Sequence, residues 1–130
     1  MRRVLFLVAI FSLATFTVKA QDPAKVDPQH CKVEFENAQV RVLRWNLGPH
    51  DKVPMHEHPA YVQIVLTGGH GRFTSPDGKT REDDTKAGQT SWNEPQKHSY
   101  ENLSDSATES IQVELKGKAA KAKPAAKKKS

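Results

Sequence analysis

Residues 56–63 read His-Glu-His-Pro-Ala-Tyr-Val-Gln, and this stretch decides which fold and which kind of site the chain is expected to have. His56 and His58 are separated by one residue, so in a β-strand both imidazoles point to the same face, with Cβ atoms about 6–7 Å apart. Two neutral imidazoles at that distance can chelate one ion of zinc, copper, iron or nickel. Glu57 lies between them and is expected to point away, toward solvent or a second sheet.

Short strands separated by turns are expected on both sides of this stretch. Alternating, β-branched or aromatic residues indicate strands at residues 33–35, 40–42, 43–47, 61–67, 72–74, 80–82, 90–93, 99–102 and 110–115. The alternation changes parity between Val42 and Leu43, which predicts a β-bulge or a twist there. Residues 75–79 contain Pro and Asp-Gly, as a hairpin turn needs. Many short strands with regular turns predict an all-β sandwich or barrel.

A third imidazole comes from a distant part of the sequence. His98 follows a turn that begins at Pro95, and Asn102 lies four residues further on. Gln63 lies five residues past His58, and a turn at Pro59-Ala60 between them would let Gln63 face the same interior. The sequence therefore offers three imidazoles and one amide to a common site.

The order and spacing of these residues resemble the two sequence motifs of the cupin superfamily. The first motif has a His-x-His pair followed by a Glu, and His56 and His58 match the pair while Gln63 falls on the Glu position. The second motif has His-x-x-x-Asn, which His98 and Asn102 match. The resemblance covers about residues 38–115 and implies a single-domain cupin-type β-barrel, an RmlC-like jelly roll.

The resemblance also implies a ligand set, which the departures from the motifs modify. Four loop positions depart from the motifs. His50, His70 and Pro95 lie where the motifs have Gly, and Asn93 lies where the second motif has Pro. Gln63 is the chemically important departure, because a neutral amide oxygen is a weaker ligand for a divalent cation than a carboxylate. The expected site holds one divalent metal ion, iron, zinc, copper or nickel, through His56, His58 and His98, with Gln63 as a weak fourth ligand.

Each of these residues also has a plainer interpretation. The three histidines can be polar interior residues with no metal, and Gln63 can be a strand residue that is hydrogen-bonded to its neighbours. His50 and His70 fit loop positions better than ligand positions. Trp92 and Tyr100 can line the mouth of the barrel and stack on a ring substrate, or they can pack in the core.

The two ends of the chain differ from its body. Residues 1–20 have a positive start, a mostly apolar stretch and Val18-Lys19-Ala20 before Gln21, which predicts a secretory signal peptide and an exported protein, periplasmic or secreted. A retained membrane anchor is the alternative, although the stretch falls short of the roughly 20 apolar residues of a spanning helix. Residues 21–37 are expected to form an extension with the first strand, and residues 38–115 to form the barrel.

Residues 116–130 carry seven lysines and no apolar residue larger than Ala, which predicts a disordered tail. The tail would attract an anionic envelope polymer or lipid headgroups, or it is solvated and has no partner. The 95 residues from 21 to 115 contain 10 basic and 15 acidic side chains, which excludes a basic nucleic-acid-binding core. No specific nucleic acid is therefore expected as a partner.

A single cysteine, Cys31, excludes an internal disulfide. It is either buried and inert or free to pair between chains, so a homodimer is one expectation.

The functional hypotheses follow from the resemblance. The first is a metal-dependent, dioxygenase-like enzyme that acts on a small molecule, although the sequence shows no strong candidate for a general base. The second is a non-catalytic module that binds a small molecule or a metal and is tethered to an anionic surface by the tail. The third is a dimerising scaffold with Cys31 or an edge strand at its interface.

Overall fold

The chain folds into two antiparallel β-sheets. The computed structural model describes residues 21–117. The elements, in order, are α1 (Pro23–Val26), β1 (Cys31–Glu36), β2 (Val40–Leu47), β3 (Lys52–His58), β4 (Tyr61–Thr67), β5 (Gly69–Thr74), β6 (Thr80–Thr85), β7 (Thr90–Asn93), β8 (Gln96–Asn102) and β9 (Thr108–Leu115). One sheet has the order β1-β2-β9-β4-β7 and the other has the order β3-β8-β5-β6. The all-β jelly roll predicted from the sequence is confirmed.

The core lies between the sheets and is built mainly on β2. Leu43, Trp45 and Leu47 alternate along this strand and are buried, and Cys31 and Val53 complete the cluster. Apolar residues at every second position can all reach the inner face of a sheet, which explains why this segment is a strand.

The bulge predicted between Val42 and Leu43 is absent, and a bulge lies instead in the neighbouring strand β1. β2 continues without interruption, and the register shift lies in β1, where Val33 opposes Leu43 and Phe35 opposes Val42. The extra residue is therefore Glu34. An edge strand can take up an extra residue by disturbing one ladder, whereas β2 pairs with both β1 and β9 and would lose two.

The hairpin predicted at residues 75–79 is confirmed and joins β5 to β6. The Ser75 amide donates to the Lys79 carbonyl at 2.9 Å, and Gly78 has a φ of 82°, which a residue without Cβ adopts easily.

A short N-terminal segment docks on the barrel at β3. The Glu57 amide donates to the Gln21 carbonyl at 2.9 Å, and Asp22 caps α1 by accepting from the amides of Ala24 and Lys25. Among the described residues, no helix has the length and apolarity needed to cross a membrane. The predicted signal peptide and tail residues 118–130 lie outside the described part of the chain.

Candidate metal centre

Three buried imidazoles converge between the sheets. His56, His58 and His98 are 2%, 1% and 5% exposed, and one ligand nitrogen from each lies within 4.8 Å of the other two. The ring centroids of His56 lie 4.7 Å from those of both His58 and His98. The two strands bring them together because His56 and His98 are direct partners in the ladder between β3 and β8.

A bulge in β3 aims the histidine pair inward. Val53 opposes Tyr100 and His56 opposes His98, so β3 has two residues, Pro54 and Met55, where β8 has one. The extra residue changes the strand parity, and Val53 and His56 therefore both face the interior although they are three residues apart. Pro54 suits a bulge because it has no amide hydrogen to give to the ladder. Glu57 points outward and is exposed, as the sequence predicts.

Hydrogen bonds on the far side of two rings set which nitrogen faces the site. His56 Nδ1 donates to the Pro54 carbonyl and His58 Nδ1 donates to the Glu114 carboxylate, both at 2.7 Å. The lone pair of each ring then resides on Nε2. Within residues 21–117, the buried His58 Nε2 and His98 Nδ1 have no hydrogen-bond partner. Buried polar atoms without partners are unfavourable, and a metal ion bound to the lone pair of His58 Nε2 would give that atom a partner.

Burial keeps the rings of His56 and His98 neutral. Burial lowers the pKa of His56 to about 4, and the neighbouring His58 adds to this effect. Burial likewise lowers the pKa of His98 to about 3, with further contributions from His56, His58 and Arg81. Both rings are therefore unprotonated at neutral pH, which is the form that binds metals. The residues present thus fit a borderline divalent cation such as zinc, ferrous iron, copper or nickel.

Gln63 lies in the wall of the cavity that adjoins the histidines. It is half-buried in β4, where it opposes Ser91 of β7 and Gln112 of β9. The structure brings it to the same cavity as His56, and its role as a fourth ligand stays a prediction.

A cavity of about 510 Å³ opens beside the imidazole of His56. His56 forms part of its wall, together with apolar and aromatic side chains that include Trp45, Val53, Val65 and Phe73. Acidic side chains from β6 and the start of β9 form another part of the lining, namely Glu82, Asp83, Asp84 and Glu109. A volume of this size admits a small molecule.

Trp92 and Tyr100 both line this cavity. Trp92 is 49% exposed on the edge strand β7, whereas Tyr100 is partly buried and its ring lies 4.8 Å from that of Phe73. Arg81 reaches the same wall, with its guanidinium carbon 4.8 Å from the Phe73 centroid. Both aromatic residues named from the sequence are thus placed to contact a ligand, and their role in binding one stays a prediction.

The other predicted residues lie away from the three imidazoles. His50 is exposed and lies 2.9 Å from Asp105, while His70 lies between Asp84 and Glu82 at 2.9 and 3.1 Å. His70 belongs to β5 and not to a loop, because the strand begins at Gly69. Asn102 is fully buried, and its amide donates to the Gly48 and Ser106 carbonyls, so this residue ties two loops together.

Glu114 is the functional candidate that the sequence analysis missed. It lies in β9, is 2% exposed and accepts the hydrogen bond from His58. The available signal was the alternation of Gln112 and Glu114 with apolar neighbours in the last strand, but it does not tell which face is buried. In the structure the polar face points inward, and Gln112 accepts a hydrogen bond from the Trp45 indole at 2.9 Å.

Comparison with solved structures gives several proteins of the same architecture. The chain is similar to a cupin domain from Bordetella pertussis Tohama I, with a TM-score of 0.62 and 25% identity over 67% of this chain and 92% of that chain. It is also similar to an uncharacterized conserved protein with a double-stranded β-helix domain from Klebsiella pneumoniae subsp. pneumoniae MGH 78578, with a TM-score of 0.55 and 23% identity over 68% and 77% of the two chains.

A third similar structure is an RmlC-like cupin family protein with a double-stranded β-helix fold from Methanocaldococcus jannaschii. Its TM-score is 0.53, and its identity is 15% over 65% of this chain and 77% of that chain. The similarity to the second and third proteins concerns the fold alone. No protein-family model matches the chain, and no curated protein sequence is significantly similar to it.

Proposed function

Because the chain is a small cupin by fold, we propose that it binds one divalent metal ion through His56, His58 and His98 and admits a small molecule to that ion from the adjoining cavity. The observation that carries the proposal is that one nitrogen from each of the three buried imidazoles lies within 4.8 Å of the other two. An ion bound there would supply Lewis acidity or redox chemistry.

The chain's own residues shape the rest of the site. Apolar side chains form part of the cavity wall, and Trp92 and Tyr100 offer ring faces on which a planar substrate can stack. Arg81 lies in the same wall, where its guanidinium packs against Phe73 and pairs with Asp83 at 2.7 Å. A small, planar molecule with an oxygen donor fits this combination.

We propose a dioxygenase-like reaction as the catalytic form of this function. Three neutral ligands leave the full charge of the ion uncompensated within its ligand set, which favours binding of an anionic oxygen of the substrate. The competing function is a non-catalytic binding module. Gln63 favours this second function. It occupies the position of the Glu in the first motif, and its amide cannot act as the general base that the Glu carboxylate would provide.

Metal analysis tests the first part of the proposal. Untagged protein purified without added metal should contain about one transition-metal ion per chain. His98→Ala should lose that ion and retain the β-sheet circular dichroism spectrum, whereas His70→Ala, which removes an exposed histidine, should keep it. Equal metal content in His98→Ala and wild type, or a wild type that takes up no offered zinc, iron, copper or nickel, would refute the proposal.

Oxygen uptake separates the two functions. Metal-loaded protein should consume oxygen with a member of a panel of flavonoids, thiols and diketones, and His98→Ala should be silent. Saturable ligand binding without oxygen uptake across the panel would assign the protein to the binding class.

Export and the tail belong to the proposal on the sequence alone. We propose that the chain is cleaved after Ala20 and that its Lys-rich end associates with an anionic envelope polymer or lipid. Cell fractionation with N-terminal sequencing of the mature protein tests this, and a cytoplasmic chain that begins at Met1 would refute it.

A further inference from the structure

A buried carboxylate lies directly behind one of the three imidazoles. The side chains of His58 and Glu114 are 0% and 3% exposed, and Glu114 Oε1 lies 2.7 Å from His58 Nδ1. A carboxylate in such a position is unfavourable unless it is hydrogen-bonded and paired with a positive charge. Something at this site must therefore compensate Glu114.

The compensation on the protein side is shared. Arg41 lies 3.6 Å from Glu114 Oε2, but it also forms two hydrogen bonds of 2.8 Å with the carboxylate of Asp22, the residue that caps α1. The three side chains together carry two negative charges and one positive charge. Asp22, Arg41 and Glu114 together therefore have a net negative charge, since Arg41 balances only part of the charge of the two carboxylates.

β9, the strand that carries Glu114, also holds the indole of Trp45 through a hydrogen bond. Gln112, two residues before Glu114 on the inner face of β9, accepts from the Trp45 indole. Trp45 in turn packs against His56 and His58, with centroid distances of 5.3 and 6.2 Å. The inward-facing Gln112 and Glu114 of β9 thus contact the imidazoles, Glu114 directly through His58 and Gln112 through Trp45.

Resting on the proposed metal site, we propose that Glu114 is a positioning residue for it. The carboxylate holds His58 as the Nδ1–H tautomer, aims Nε2 into the site and, through the imidazole, supplies the negative charge that Gln63 does not. A carboxylate hydrogen-bonded to a ligand imidazole raises the basicity of that ligand and fixes its orientation.

Zinc affinity of matched variants tests this role. Glu114→Gln retains the shape and removes the charge, and it should weaken zinc binding by about 10- to 100-fold in a chelator competition assay. Glu57→Gln removes the same charge from the residue between the two ligands, but on the exposed face, and should change affinity by less than about twofold, because solvent screens it. Equal affinities of Glu114→Gln and wild type, or equal losses in both variants, would overturn the proposal.

A spectroscopic measurement separates this proposal from the metal site itself. In metal-free wild-type protein, the ¹⁵N shifts of His58 should show the Nδ1–H tautomer, and Glu114→Gln should convert it to a mixture. A wild type in which Nε2 carries the proton would overturn the role of Glu114 whatever the metal content. A wild-type protein that binds no zinc but shows the Nδ1–H tautomer would refute the proposed function. It would still support the conclusion that Glu114 fixes the tautomer of His58.

Discussion

The buried imidazoles of His56 and His98 make the stability of the metal-free protein depend on pH. Their pKa values fall to about 4 and about 3 in the folded chain, from an ordinary value near 6.5. In this range the unfolded chain binds the protons that the folded chain refuses, so stabilisation is complete above pH 6.5 and is lost as the pH falls toward 4. We expect the free energy of unfolding to drop by about 1 kcal/mol per histidine between pH 7 and 5.5, measured by urea titration.

His30 serves as the internal contrast for that measurement. Burial opposes its charge, but hydrogen bonds and charges from Asp27 and Asp51 outweigh burial and raise the pKa of His30. Its stabilisation is therefore complete only well below pH 6.5 and is lost as the pH rises through the raised pKa, so this one group adds a slope opposite in sign to the larger combined slope of His56 and His98. A free energy of unfolding that stays flat between pH 7 and 5.5 would contradict the burial of the two imidazoles.

Gln63→Glu should tighten metal binding. A carboxylate in the cavity wall adds a negative charge beside the imidazoles, and we expect zinc affinity to rise by about tenfold or more. Gln89→Glu adds the same charge at an exposed position of the same cavity and is the matched control. If both variants bind zinc equally, position 63 is not directed at the ion.

Cys31 should be unreactive in the folded chain. It is buried in the core cluster, and burial raises the pKa of its thiol to about 12. Because the thiolate is the reactive form, we expect no reaction with Ellman's reagent at pH 8 until denaturant is added. Rapid modification of the native protein would instead favour the alternative in which this thiol pairs between chains.

At the scale of the strands, Gly71 of β5 lies against the ring of Tyr100 of β8. A methyl group on Gly71 would overlap this ring, so Gly71→Ala must push Tyr100 toward the cavity or strain β5. We expect a loss of about 1–3 kcal/mol in stability, read from thermal unfolding. Gly117→Ala, which meets open space, is the control, and Tyr100→Leu should rescue Gly71→Ala. Equal stability of the two alanine variants would contradict the packing.

The elements also show what local sequence can predict. The alternation along β2 and the His-x-His spacing in β3 are local, so both the strands and the shared face of the pair follow from them. The bulge at Pro54 and Met55 depends on which residue of β8 each one opposes, and the buried face of β9 depends on packing against His58 and Trp45. These are relations between distant strands, and no local pattern contains them.

Over the whole molecule, charge is divided between an acidic body and a basic end. Residues 21–115 hold 15 acidic and 10 basic side chains, and residues 118–130 hold six lysines. We expect the chain from residue 21 to bind vesicles that contain an anionic lipid and to release them at high salt, since each lysine near such a surface contributes about 1 kcal/mol. A version that ends at Gly117 should not sediment with the vesicles, and neutral vesicles are the control. Equal sedimentation of both versions would contradict a role for the tail.

The single extra residue in β3 has an evolutionary consequence. Removing either Pro54 or Met55 would restore an unbroken ladder with β8, and one half of the strand would then have to turn over. Either Val53 would leave the core, or both histidines would face the solvent with every ligand still encoded. The deletion of one codon at this point could thus abolish metal binding while leaving the composition of the barrel almost unchanged. The insertion of one codon in a relative without the bulge could turn its histidines inward again.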